Sequence, residues 1–403
     1  MKILYLCHSC PHPKTIDALA NRVYHLIKIL SEIYNHKITL ITFKEDTQSI
    51  CEIKTYCEHT YTIQKINSMN NYIKNYILNL IYGYIPLENK NFFDVMYSNK
   101  MQNFLNQIDL SDYEVVLVSD VSMLPYMKHI TVPTIITEVE NYPEVHYDAI
   151  KKERRIFKKL LRLLLYISSS INEKNLNKLN LCITVTKEQK DILCNKYNSI
   201  NVSSIPFGID IDNQIIHVVD DNQPSITFIG NMDSVFNQES ALLIINKIFP
   251  LVKKNISATK LFIIGKNPPP EIKKLERIKD IFVLGYIEDL RPYLSKSSIS
   301  ILPIHGHGIK TRFFPIMATG TPIITFPTAI KGINVTPDVN IILANNCQEF
   351  VNKAVELLTN QDLRESIGMN AQKLMETEYS WEKIGGDLHQ YIIEIHHSSK
   401  YDL

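Results

Sequence analysis

No stretch of the 403-residue sequence holds the roughly 18 uninterrupted apolar residues that a membrane-spanning helix needs. Cysteine is sparse and odd in number, 7 scattered residues, which suits free thiols in a reducing compartment better than a disulfide framework. Glycine (12) and proline (18) are too few and too dispersed for a low-complexity linker. A dominant charge is missing too. Lys and Arg total 43 and Asp and Glu 42, leaving a net charge of +1 without the basic footprint of a nucleic-acid-binding protein. The first ten residues lack the apolar core and cleavage site of a secretory leader. They read as a buried strand, and the expected location is cytoplasmic.

The sequence is 45% apolar and 21% charged, the balance of a globular protein. Its length suggests two domains, each able to bury its own core. Lys2–Cys7 reads as a strand. Ile16, Leu19, Val23, Leu26, Ile27 and Leu30 then recur at helical spacing, and His36–Phe43 is strand-like again. That β-α-β unit favours a parallel sheet with a right-handed crossover. Glu114–Ser119, Pro133–Thr137 and Leu181–Thr186 add strands, whereas the Asn- and Tyr-rich run from Tyr56 to Asn106 gives no clear pattern. In the second half, strands are expected at Ser225–Gly230, Lys260–Gly265, Ile281–Gly285, Ile299–Pro303, Pro322–Phe326 and Ile341–Ala344. Helices are expected at Gln238–Lys254, Glu271–Ile278, Gln348–Leu358 and Trp381–His396. Two consecutive α/β halves imply two doubly wound sheets, with ligands beyond the carboxyl ends of the strands.

The richest chemistry lies between Leu302 and Phe326. A strand ends at Pro303, a loop carries Gly306 and Gly308, and Lys310 and Arg312 fall in the expected first turn of a helix. Glycines admit a ligand to the backbone, and a helix start with two cations can hold a diphosphate leaving group without a metal. The same residues also fit an ordinary βα turn with a solvated basic face. In the first half, His8, Asp120, Glu138 and Glu140 follow strands. A carboxylate there can bind or polarise an acceptor hydroxyl, or simply cap a helix. Cys7 and Cys10 form a C-x-x-C without a second ligand pair and read as strand-end thiols. Asp210 and Asp212 spell D-x-D at the junction between the halves, where turn chemistry fits better than a metal site. Lys151–Ile167 is basic, with Ile156, Leu160, Leu163, Leu164 and Ile167 at helical spacing. It is either a helix on an anionic membrane surface or a helix whose apolar stripe packs on its own sheet.

Pro303-Ile304, Gly308-Ile309-Lys310, Met317-Ala318-Thr319-Gly320 and Pro322-Ile323-Ile324 resemble the donor-site pattern of family-4 glycosyltransferases of GT-B fold (glycosyl transferases group 1). Ile205–Asp210, Phe228–Met232 with Asn237, Gly285–Leu290 and Tyr379–Trp381 resemble further segments of that family, in its order. The resemblance covers about Ile205–Trp381 and is thinner over Met1–Lys190. It implies two Rossmann-like domains facing a cleft. Residues 1–205, joined by the closing helix at about 381–397, would bind the acceptor, and 206–380 the donor. It further implies retaining, metal-independent transfer of a sugar from a UDP- or GDP-sugar co-substrate to a glycan or lipid-linked acceptor, with no separate cofactor. Gly230, Asn231, Gly306, Gly308, Ile309, Lys310 and Arg312 would line the donor site, with the enzyme peripheral on the inner face of the membrane. The sequence departs from the family at His307 and Pro315, which stand where two glutamates are usual. Pro315 is expected to kink or restart the helix, and His307 to contact the donor sugar or a phosphate. The rival reading is a non-catalytic GT-B-like subunit that stabilises an active partner. A dinucleotide-binding oxidoreductase lacks its G-x-G-x-x-G after the first strand, where Cys7–Thr15 stands.

Overall fold

The computed structural model describes residues 1–13, 17–44, 50–64, 98–139, 142–211, 223–304 and 311–401. They form two compact units, Met1–Phe207 with Ile384–Leu403, and Gly208–Lys383.

The first unit is built on a seven-stranded sheet in the order β3-β2-β1-β4-β5-β6-β7. Its strands are β1 (Lys2–Cys7), β2 (Lys37–Lys44), β3 (His59–Gln64), β4 (Val115–Val118), β5 (Thr134–Val139), β6 (Leu181–Thr184) and β7 (Val202–Ser204). All neighbouring strands pair in parallel. β4, β5 and β6 are buried along their whole length, as a parallel sheet covered on both faces requires. The helix Ala18–Glu32 starts where the Asp17 carboxylate accepts from the Leu19 and Ala20 amides, and it buries Val23, Leu26, Ile27 and Leu30. The closing helix, Trp381–Tyr401, meets it closely. A Cβ on Gly385 would stand 2.3 Å from Ile29 Cγ2. On the same helix His389 shares a 2.9 Å hydrogen bond with His36 and stacks on Tyr34, ring centroids 3.8 Å apart.

The second unit has a six-stranded parallel sheet in the order β10-β9-β8-β11-β12-β13. Its strands are β8 (Ser225–Ile229), β9 (Lys260–Ile264), β10 (Ile281–Gly285), β11 (Ile299–Leu302), β12 (Ile323–Thr325) and β13 (Ile342–Leu343). Two backbone approaches depend on glycine. A Cβ on Gly265 would stand 1.8 Å from the Gly230 carbonyl oxygen, and one on Gly368 2.0 Å from that of Gly320.

Several expectations need correction. The segment expected as Gln238–Lys254 runs from Val235 to Asn255, with a π-helical turn at Ile244–Ile248. The basic stretch Lys151–Ile167 is not one helix. One helix ends at Lys152 and another begins at Ile156. Its apolar stripe does not pack on the sheet, for Ile156, Leu160, Leu163, Leu164 and Ile167 are all exposed.

Gly368→Ala is expected to lower unfolding free energy by at least about 2 kcal/mol in urea melts, because a backbone carbonyl cannot yield to the new methyl. Gly285→Ala has open space around the Cβ and only its φ of +70° against it, so its cost should be about 1 kcal/mol. A second expectation concerns acid. The buried His36 imidazole is pulled down from 6.5 to about 4, chiefly by loss of water, then by the charge of the amino terminus and by His389, with Glu114 opposing. The unfolded chain takes up this proton near pH 6.5 and the folded chain refuses it until about pH 4. Stability is therefore full above that window and falls on acidification, by about 1.6 kcal/mol between pH 6.5 and 5 for this group. Urea midpoints against pH should show a shallower fall in His36→Gln; an unchanged profile would exonerate this histidine.

Candidate functional site

In each sheet the winding direction reverses once, between β1 and β4 in the first unit and between β8 and β11 in the second. Beyond the carboxyl ends of such a strand pair the backbone opens a crevice for ligands.

In the second unit β8 ends at Ile229, and Gly230 and Asn231 follow it into this crevice. Arg312 reaches the same place from the other side. Its Nη1 donates to the Ile229 carbonyl at 3.2 Å and to Asn237 Oδ1 at 2.9 Å. The buried Asn237 in turn donates to the Asn231 carbonyl at 2.7 Å. A Cβ on Gly230 would stand 3.1 Å from Arg312 Nη1 and 3.0 Å from Asn237 Cγ, so glycine leaves the guanidinium its room. Burial alone lowers the Arg312 pKa; no carboxylate among the described residues acts on it. The result is a half-buried cation at a sheet's switch point, with no carboxylate partner among the described residues, suited to an anionic ligand.

Gly230, Asn231 and Arg312 are thus brought together. Gly306, His307, Gly308, Ile309 and Lys310 lie outside the described residues, as do Glu140 and Asp212. The helix expected around Lys310 and Arg312 is Phe313–Ala318, and Arg312 precedes it. That start disposes of the expected kink at Pro315. It is the helix's third residue, where no intrahelical partner awaits its missing N–H, and its carbonyl accepts from the Thr319 amide at 3.2 Å.

In the first unit His8 and Asp120 meet at the ends of β1 and β4. The His8 amide donates to Ser119 Oγ at 3.4 Å, Ser119 Oγ donates to Asp120 Oδ2 at 2.6 Å, and the Ser122 amide donates to Asp120 Oδ1 at 2.8 Å. Asp120 is buried and caps the short helix that follows, the plainer of its two expected roles. Glu138 does not follow its strand, as expected, but lies within it. β5 runs on to Val139 through a register shift after Ile136. Buried there, Glu138 exerts its charge on Arg22, whose pKa its presence raises against the larger lowering by burial.

Sequence reasoning missed Arg22, which is 1% exposed. Its guanidinium donates to the Ile205 carbonyl at 3.1 Å and to that of Pro206, and lies 5.4 Å from the centre of the Phe207 ring. The signal was one arginine inside an apolar helical stripe. Cys7 Sγ donates to the Ser9 carbonyl at 2.8 Å, and burial pushes its thiol well above the usual range, which makes it a poor nucleophile.

Residues 223–360 match the family model described as glycosyl transferases group 1. A Klebsiella pneumoniae protein described as an uncharacterized 44.6 kDa protein in cps region is 21% identical over 400 residues, 95% of this chain and 97% of that protein. Among solved structures, sucrose-phosphate synthase from Thermosynechococcus elongatus superposes with a TM-score of 0.68 at 14% identity, covering 99% of this chain and 100% of its own. Anabaena HepE, solved in complex with UDP and glucose, superposes at 0.63 with 12% identity, over 97% and 99%. S. aureus TarM superposes at 0.63 with 14% identity, over 97% and 98%. The fold is GT-B, two Rossmann-like parallel-sheet domains.

A half-buried cation with no carboxylate among the described residues is a cost in the ligand-free protein. Arg312→Met is therefore expected to leave the melting temperature unchanged or raise it in the absence of anions. A loss above about 1 kcal/mol would instead make Arg312 a structural tie between β8 and its neighbouring helix.

Proposed function

We propose that this chain, a GT-B protein with a glycosyl transferases group 1 domain at residues 223–360, moves a sugar from a nucleotide-diphosphate sugar to a hydroxyl acceptor. The observation that carries the reading is Arg312, half-buried against the end of β8 inside the matched segment, with no carboxylate partner among the described residues. UDP in the HepE structure favours a UDP-sugar, with GDP as the other candidate base. In this reading Arg312 and Lys310 hold the diphosphate and stabilise it as it leaves. The glycines Gly306 and Gly308 admit it to the backbone, and His307 contacts the sugar. Transfer needs no metal, because Lys310 and Arg312 stabilise the leaving diphosphate, and no protein nucleophile, because the departing phosphate takes the proton of the incoming hydroxyl; retention is what the family resemblance implies. The acceptor is a glycan or lipid-linked hydroxyl held by the first unit, and the enzyme works peripherally at the inner face of a membrane.

Thermal unfolding with UDP-, GDP- and TDP-sugars tests the donor site. A ligand at ~100 times its dissociation constant adds ~2.7 kcal/mol of stability, and one nucleotide class should do so. A folded protein that shifts with none of them would favour the non-catalytic partner reading. With the donor identified, Lys310→Ala and Arg312→Ala should each slow transfer by about 10²- to 10³-fold. Unchanged transfer in both would remove the phosphate assignment.

A further inference from the structure

In the first unit the helices Tyr142–Lys152 and Ile156–Glu173 pack against each other. The second buries Leu165 completely, yet Ile156, Leu160, Leu163, Leu164 and Ile167 stay 42% to 88% exposed. At the helical turn of about 100° per residue these five form one stripe about 100° wide, centred about 150° round the helix from Leu165. The helix thus has two apolar faces, one spent on the protein and one facing outward. A single exposed leucine is ordinary, but five on one stripe call for a partner.

The charge around the stripe says which partner. Residues 151–162 hold seven Lys or Arg against one acid, Glu153. Arg162 is taken up by that acid at 3.4 Å, while Arg154, Arg155, Lys158 and Lys159 are exposed. Lys159 flanks the stripe, and Arg154 and Arg155 stand at its amino-terminal end. A second copy of this chain docking by the same face would set these cations against themselves. An anionic bilayer answers both features, acyl chains for the stripe and headgroups for the cations.

We infer that the outer face of Ile156–Ile167 lies in the interface of an anionic lipid bilayer, with Arg154, Arg155 and Lys159 at the headgroups. The inference deepens the acceptor side of the proposed function and rests on that reading for its purpose, since a membrane-borne acceptor would then be met at the surface where the enzyme docks.

The full chain should co-sediment at low salt with vesicles containing phosphatidylglycerol and not with pure phosphatidylcholine, and high salt should release it. Arg155→Gln with Lys159→Gln should weaken binding about 25-fold, at about fivefold per charge. Leu160→Ser with Leu163→Ser keeps every charge and should still lose at least about tenfold. All four positions are exposed, so both variants should melt as wild type and show the same nucleotide-sugar shift. No sedimentation with anionic vesicles at low salt overturns the inference, as does binding that either double variant leaves intact. A concentration-dependent dimer that Leu160→Ser dissolves overturns it in favour of a second copy. Vesicle binding without any nucleotide shift keeps the surface and removes the donor reading.

Discussion

A guanidinium that gives up part of its water without gaining a carboxylate costs a fold free energy, and among the described residues the switch point of the second unit is arranged around one. Half-buried Arg312 is held there by two neutral acceptors, the Ile229 carbonyl and Asn237 Oδ1. The arrangement reaches outward in steps. Gly230 has to be glycine for the guanidinium to fit, and Gly265 has to be glycine because the Gly230 carbonyl lies against it. Asn237 has to be buried and oriented, which its bond to the Asn231 carbonyl achieves. The packing of β8 and β9 and the electrostatics of the crevice are one constraint. A protein under selection for stability alone would gain by replacing the arginine with an apolar side chain.

The first unit contains the control. Arg22 is more deeply buried than Arg312, yet it is provided for, with two backbone carbonyls, the Phe207 ring and the charge of Glu138. Its contacts tie the helix Ala18–Glu32 to Ile205–Phe207, the last residues of that unit before Gly208. The two arginines share a charge and differ in burial and, among the described residues, in compensation. A compensated buried charge is an internal strut; in the proposed function the half-buried Arg312 at the strand-end crevice takes its counter-charge from the ligand.

The sequence made the sheets legible because a parallel strand covered on both faces is a continuous apolar run, as in Val115–Val118 or Ile299–Leu302. The strands that escaped reading, β3 and β7, lie at the two edges of their sheet, where His59–Gln64 alternates and Val202–Ser204 has one apolar residue. The helix Gln361–Leu374 escaped for another reason. Asn360 ends one helix and caps the next, so no Gly or Pro marks a boundary. Arg312 was legible from its motif, but its lack of a carboxylate partner among the described residues was not, since that depends on what the fold brings near it. Pro315 was misread because its meaning depends on a helix start only two residues away. Glu138 was misread because the register shift in β5 carries the strand two residues past the last clear apolar run.

The same accounting constrains how the first unit can recognise an acceptor. Asp120 is engaged by the Ser119 hydroxyl and the Ser122 amide, and His8 and Ser119 are linked through the backbone. A substrate hydroxyl could claim the Asp120 carboxylate only by releasing the cap of the helix that follows, a loss of about 1 kcal/mol before anything is gained. Glu138 is committed in the same sense, because withdrawing it would leave Arg22 buried with less to offset its charge. Asp120 and Glu138 therefore hold the frame of this unit rigid. In the proposed function, selectivity for an acceptor comes from less deeply committed side chains around them, which that frame keeps in place.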